Sequence, residues 1–214
     1  MSRLCLVRHG EPDLPQASTL FLGQIDPPLS GRGREQAACL KEALSGLSLD
    51  GAYASDLRRT EETARIVLGR RSCPLTLTPA LREVALGAWE GKKRCEIARR
   101  EPEAYEARGK DILAFRPPGG ESLLDVAARA LPLLEAIMNQ EGTFLVVTHA
   151  GVLRLFLKSL LDLPPSRLFS FRFDYGSLSI VERRGRKKEI LCLNGRSLPE
   201  EQERPKDQRG DKGP

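Results

Sequence analysis

Two histidines are all that this chain contains, and they occupy the same kind of place. His9 comes two residues after the apolar run Leu4-Cys-Leu-Val7 and is followed by Gly10. His149 comes two residues after Phe144-Leu-Val-Val147, and Gly151 stands two residues on. Such runs read as buried strands, and in an α/β sheet ligands bind outside the carboxyl ends of the strands. Either histidine alone would more often be a hydrogen-bonded structural residue. Both together, at equivalent strand ends, point to a shared site if the two strands are neighbours.

The charges beside these turns suggest what the site handles. Arg8 lies directly before His9, an awkward place for a permanent cation unless an anion meets it. A phosphate would do so through bidentate, charge-assisted bonds. Ser55-Asp-Leu-Arg-Arg59-Thr follows another short apolar stretch and opens a helix, where free backbone N–H groups also favour anions. Glu83, after the Leu75–Thr78 strand, is a candidate general acid. Arg59 and Glu83 are weak signals alone, since surface arginines and glutamates are common.

The elements that must position these residues follow from periodicity and punctuation. Residues 2–8 form the first strand, and Ser30 caps a helix with the stripe Ala37, Leu40, Ala43, Leu44 and Leu47. Gly51–Ala54 is a second strand ending at Ser55-Asp56, read as the cap of a helix to about Leu68. Leu75–Thr78 is a third. Residues 83–120 lack a strand pattern and read as a small helical insertion closed by Pro117-Pro-Gly-Gly120. A long helix starts at Glu121, with Leu124, Ala127, Ala128, Leu131, Leu134 and Met138 on its apolar face and Pro132 as a candidate kink. Thr143–Thr148 is an apolar strand, followed by a helix over Val152–Leu161. Phe169–Phe173, Leu178–Glu182 and Glu189–Leu193 complete the predicted strands. The last two are joined around Gly185 by a basic turn, read as a solvated hairpin rather than a nucleic-acid patch. Alternating strands and helices predict an α/β layered sheet.

Composition excludes several classes. The 214 residues suit one domain, over 1–195, with a disordered tail over 196–214 whose charges cancel. The net charge of +5 therefore belongs to the folded body, which suits an anionic ligand. No apolar run approaches a membrane span, and the start does not read as a signal peptide. Five scattered cysteines without a C-x-x-C pair argue against a disulfide framework or a zinc site, and for a reducing compartment. The expectation is a cytoplasmic protein that needs no metal or cofactor.

Together, Leu-Val-Arg8-His9-Gly10-Glu, Ser55-Asp-Leu-Arg-Arg59-Thr, Leu81-Arg-Glu83 with Gly87-Ala-Trp-Glu-Gly91, Pro118-Gly-Gly-Glu-Ser122 and Val147-Thr-His149-Ala-Gly resemble the histidine phosphatase (phosphoglycerate mutase-like) superfamily. Five blocks in order over residues 3 to 182 are specific where Arg-His-Gly alone is not. The stretch from Gly23 to Ala37 is similar to the small bacterial phosphatase branch that includes the α-ribazole phosphatases of cobalamin biosynthesis. The resemblance implies a three-layer α/β/α sandwich with a mostly parallel central sheet and the helical insertion over the site. It implies that His9 becomes transiently phosphorylated, that Arg8, Arg59 and His149 hold the phosphoryl oxygens, and that Glu83 protonates the leaving oxygen. Gly23 and Ala150 are expected to line the phosphate site. Where family members carry a phosphate-contacting asparagine this chain has Pro15, and Gln16 beside it is the expected substitute.

The reading that follows is a phosphomonoesterase acting on a small phosphorylated metabolite, with α-ribazole 5′-phosphate the best single named substrate and no nucleic-acid or membrane partner. The alternatives are a phosphoglycerate mutase and a non-catalytic phospho-ligand module. A compact insertion and a charged, non-periodic tail favour hydrolysis over the mutase. Trp89, Lys92, Lys93, Arg94, Tyr105 and Phe115 of the insertion are candidate specificity residues.

Overall fold

The computed structural model describes residues 1–199. Six strands form one sheet: β1 (Ser2–Arg8), β2 (Gly51–Ser55), β3 (Leu75–Thr78), β4 (Gly142–Thr148), β5 (Leu178–Arg184) and β6 (Lys187–Gly195). Their order is β3-β2-β4-β1-β5-β6, with β1 to β4 mutually parallel and β5 antiparallel to both its neighbours, β1 and β6. Helices α1 (Gly31–Ala43), α2 (Arg58–Leu68), α5 (Leu123–Met138) and α6 (Ala150–Leu160) cover the sheet, and α3 (Arg94–Arg100) and α4 (Pro102–Lys110) lie in the inserted segment.

The central strands are apolar on both faces because both faces are covered. Leu4 and Leu6 of β1 and Phe144 and Val146 of β4 pack with α5 and α6. The alternate residues Cys5, Val7, Leu145 and Val147 pack with Leu40 and Leu44 near α1 and with Ala64, Val67 and Leu68 of α2. Period-two alternation thus feeds two cores from one continuous apolar run, giving the layered arrangement.

Register delivers the site. Arg8 stands opposite Thr148, so the next residues, His9 and His149, leave adjacent strands side by side. Ala54 is paired with Val147, so Ser55 falls in the row of Thr148, one residue before His149, and its hydroxyl reaches the His149 ring.

Four local expectations need correction. The predicted Phe169–Phe173 strand is absent; Pro164 and Pro165 begin a 3₁₀ helix over Pro165–Ser170, and both sides of β5 are already occupied by β1 and β6. The long helix keeps part of its predicted face, with Leu134 and Met138 buried and Ala127 and Leu131 packed against the core, but Val126, Ala130 and Ile137 complete the buried stripe, and Ala128 and Leu124 are exposed, Leu124 to 51%. Its sequence is apolar on nearly every side, so packing selects the face. It starts after Ser122, whose hydroxyl and the Asp125 carboxylate form a reciprocal capping box, and Pro132 lies within it without ending it. Finally, Ser55-Asp56 is not the cap of α2: that position is Leu57, with no side-chain cap. Ser55 serves His149 instead, and Asp56 pairs with Arg82.

The basic β5–β6 turn is a hairpin with Gly185 at φ 61°. Its Lys188 pairs with Glu135, and Arg183 donates to the Met138 carbonyl at the end of α5. The disordered-tail expectation falls mainly on residues 200–214, outside the described residues.

Candidate active site

His9 is buried at the end of β1, and its Nδ1 lies 2.7 Å from the Gly10 carbonyl oxygen. A carbonyl only accepts, so Nδ1 carries the proton and Nε2 keeps a free lone pair. The chain turns away at Gly10, whose N–H donates to Thr63 Oγ1 of α2. There is no room for a side chain here, because a Cβ on Gly10 would strike the backbone of Gly33. This close approach locks the β1 turn onto the start of α1.

Two guanidinium groups flank the imidazole. Arg8 donates from Nη1 to the Phe173 carbonyl at 2.6 Å and lies 3.7 Å over the ring of Tyr175. Arg59, fully buried in α2, donates from Nη2 to the Gly23 carbonyl at 2.8 Å and from Nη1 to that of Ile25. The Nε–H of each arginine is buried and has no partner. A buried donor left unpaired is costly, and an anion between these two groups would satisfy them.

His149 is fully buried behind His9, the ring centres 5.0 Å apart. Arg59 Nη2 is 3.4 Å from its Nδ1, and Ser55 Oγ is 3.0 Å from its Nε2. Because a guanidinium only donates, Nδ1 accepts and Nε2–H donates to Ser55. Both imidazoles have pKa values pushed well below 6.5, first by burial and then by Arg59, with Arg8 adding to each. His9 and His149 are therefore neutral at pH 7, the state a nucleophile requires.

The Glu83 carboxylate reaches the same end of the sheet. It accepts from its neighbour Val84 N–H at 3.0 Å and from Gly151 N–H, at the start of α6, at 3.1 Å. Gly151 is required for this: a Cβ there would collide with Glu83 Oε1.

These groups open onto a cavity of about 320 Å³. Arg8, His9, Gly23, Arg59, Glu83 and Ala150 all line it; His149 does not, and sits one layer deeper. Gln16 does not line it either. It is exposed, in the left-handed region at φ 57°, with its carbonyl accepting from Thr19 N–H and Oγ1. The loop instead turns Ser18 toward the cavity. Of the six candidate specificity residues of the insertion, Arg94 and Phe115 line the cavity. Trp89 is core, packed between Phe21 and Phe115 with its indole N–H on Glu101, and Lys92, Lys93 and Tyr105 are not in the lining. Among the described residues, no three His, Cys, Asp or Glu side chains cluster as metal ligands would.

Sequence reasoning missed Tyr175, Ser55 as the partner of His149, and Arg154 of α6. Tyr175 belongs to a turn that crosses the end of β1. Its Gly176 N–H donates to the carbonyls of Arg8 and His9, and its ring stands 5.4 Å from that of His9. Only the left-handed Gly176 before the β5 strand hinted that this loop was special.

The sequence model of the Histidine phosphatase superfamily (branch 1) matches residues 4–196. The chain is 32% identical to an adenosylcobalamin/alpha-ribazole phosphatase of Escherichia coli over 92% of this chain and 97% of that one. It is 36% identical to a glucosyl-3-phosphoglycerate phosphatase of Mycolicibacterium vanbaalenii, over 76% of this chain and 75% of that one. The crystal structure of the alpha-ribazole phosphatase from Shigella flexneri superposes with a TM-score of 0.83 at 31% identity, covering 94% of this chain and all (100%) of that one.

Proposed function

The chain belongs to branch 1 of the histidine phosphatase superfamily, and on that premise we propose that it hydrolyses a small phosphorylated metabolite through a phosphohistidine at His9. The observation that carries this is the pairing of a neutral His9, its Nε2 lone pair free, with two buried guanidinium groups whose Nε–H donors lack partners.

In the first step Nε2 attacks phosphorus in line. The N–P bond forms as the ester P–O bond breaks, and the leaving oxygen takes the electron pair and a proton from the Glu83 carboxyl. In the second step Glu83 takes a proton from water, whose oxygen attacks phosphorus and breaks the N–P bond. Orthophosphate is released and His9 is restored. Arg8 and Arg59 neutralise the equatorial oxygens throughout, which is the main assistance phosphoryl transfer needs. His149 holds Arg59 in place and backs the nucleophile. Val84 and Gly151 N–H groups aim the Glu83 carboxyl.

The first metabolite to try is α-ribazole 5′-phosphate, which the names of the Escherichia coli and Shigella relatives put forward. A cytoplasmic setting fits that role, and among the described residues no helix is long and apolar enough to cross a membrane. The test is steady release of orthophosphate from p-nitrophenyl phosphate, expected for the wild type and abolished in His9→Ala. Interconversion of 2- and 3-phosphoglycerate without phosphate release would replace this reading with the mutase.

A further inference from the structure

The cavity is larger than a phosphoryl group requires, and its outer part has its own chemistry. Leu20, Phe21 and Leu22 form one apolar wall, with Ile112 and Phe115 of the insertion and Phe169 among the others. Set into these walls are three more arginines: Arg94, Arg108 and Arg154. The guanidinium groups of Arg94 and Arg108 lie 5.9 and 5.4 Å from the Phe21 ring centre, and that of Arg154 lies 5.3 Å from the Phe169 ring. An aromatic face holds a guanidinium by its plane and leaves its N–H edges free to bond; Arg154 spends its Nε–H on the Phe171 carbonyl and keeps its terminal N–H groups.

Among the described residues no carboxylate pairs directly with these charges, and Glu83 attracts Arg154 only from beyond ion-pair distance. The acids lining the cavity are Glu83 and Glu121. Glu83 is held by backbone N–H groups, and Glu121 is taken by Arg129 and the Ala85 N–H. The like charges also stand close to one another. Burial lowers the pKa of both Arg108 and Arg154; Tyr105 opposes this at Arg108 and Glu83 at Arg154, while repulsion from Arg94 acts on Arg108 and from Arg8 and then Arg94 on Arg154. A phosphoester dianion matches Arg8 and Arg59 and leaves these three unmatched.

We propose that Arg94, Arg108 and Arg154 form a second anion site, and that the natural substrate is a phosphomonoester whose leaving group joins an apolar or aromatic body to a carboxylate or second phosphate. This rests on the phosphatase reading and narrows it. A neutral leaving group such as α-ribazole would fill the apolar walls but leave the outer arginines without a counter-charge.

Three esters with one aromatic body test the site: phenyl phosphate, 4-carboxyphenyl phosphate and 4-phosphonophenyl phosphate. The readout is the ratio of kcat/KM for each acidic ester to that for phenyl phosphate, at low ionic strength because Arg94 is exposed. At least one ratio is expected to be about tenfold or more, as a charge-assisted contact would give, and its identity names the anion. In the Arg94→Gln/Arg108→Gln double variant that ratio should collapse toward one. Wild-type ratios at or below one, or a ratio that survives the double substitution, would overturn the second site while leaving the phosphatase reading intact. If no ester is turned over, the phosphatase reading itself fails. Calorimetric binding of the same three esters then decides the site: tighter binding of an acidic ester supports it, and equal binding overturns it.

Discussion

Gly151→Ala separates the chemistry of Glu83 from the stability of the fold. The new Cβ would collide with Glu83 Oε1 and come within 3.1 Å of its Cδ, where ordinary carbon contacts are about 3.5–4.0 Å. The obstructing atoms are the far end of a flexible side chain, so the carboxyl would swing away by about 1 Å or more rather than force the backbone apart. Its hydrogen bond to Gly151 N–H would be lost, at up to about 3 kcal/mol. Against this, alanine is better than glycine in a helix by about 1 kcal/mol, so the net stability loss should stay below about 2 kcal/mol. The catalytic loss should be larger. A misplacement of about 1 Å in a general acid costs about 10²-fold, or about 2.7 kcal/mol in the transition state. That loss should fall on alkyl phosphates, whose leaving oxygen needs a proton. It should be under about tenfold for p-nitrophenyl phosphate, which leaves as a stabilised anion. The assay is kcat/KM for glycerol 2-phosphate and p-nitrophenyl phosphate on wild type and variant, with a thermal melt to confirm folding. Equal losses on the two esters, or no loss on either, would show that Glu83 is not the proton donor.

Acid should weaken the fold through the two histidines. Their folded pKa values lie well below 6.5, so below pH 6.5 the unfolded chain binds protons that the native chain refuses. Stability should fall as pH drops through that window, by up to about 1.4 kcal/mol per pH unit for each histidine. Urea denaturation at pH 7 and 5.5 would measure it, with a shallower slope in His149→Gln. For the same reason, kcat should show no histidine-dependent decline until well below pH 6.5. Gly33→Ala should destabilise by about 1–3 kcal/mol, because its Cβ would meet the rigid Glu11 backbone; a lowered Tm would report it. Ser55→Ala leaves the buried His149 Nε2–H without its acceptor and should cost about 1–3 kcal/mol, read as a fall in the urea midpoint.

Much of the site was legible because its parts are local. Arg8, His9 and Gly10 are neighbours in sequence at the end of an apolar run, so their adjacency needed no fold. Each of Arg59, Glu83 and His149 follows a strand, and strands of a parallel sheet deliver their carboxyl ends to one edge. Contacts between strand ends and the loops that cross them were not legible. Gln16 was placed by its chain distance from the nucleophile, yet the left-handed backbone at that residue keeps it exposed and brings Ser18 forward. Phe169–Phe173 has strand-like composition, but Pro164 and Pro165 start a 3₁₀ helix just before it, and both sides of β5, the next strand in the chain, are taken by β1 and β6.

The sequence by itself determined which residues could perform phosphoryl transfer and which strands would carry them, because periodicity and turn chemistry are properties of neighbouring residues. Only the tertiary structure decided the proton positions. Nδ1 of His9 meets a carbonyl, and Nδ1 of His149 meets a guanidinium delivered from α2. It also decided that Tyr175, 166 positions after His9 by subtraction of residue numbers, stacks on Arg8, and that three further arginines face one cavity. Those facts depend on distances across the fold, which strand register and helix packing set and which no local pattern encodes.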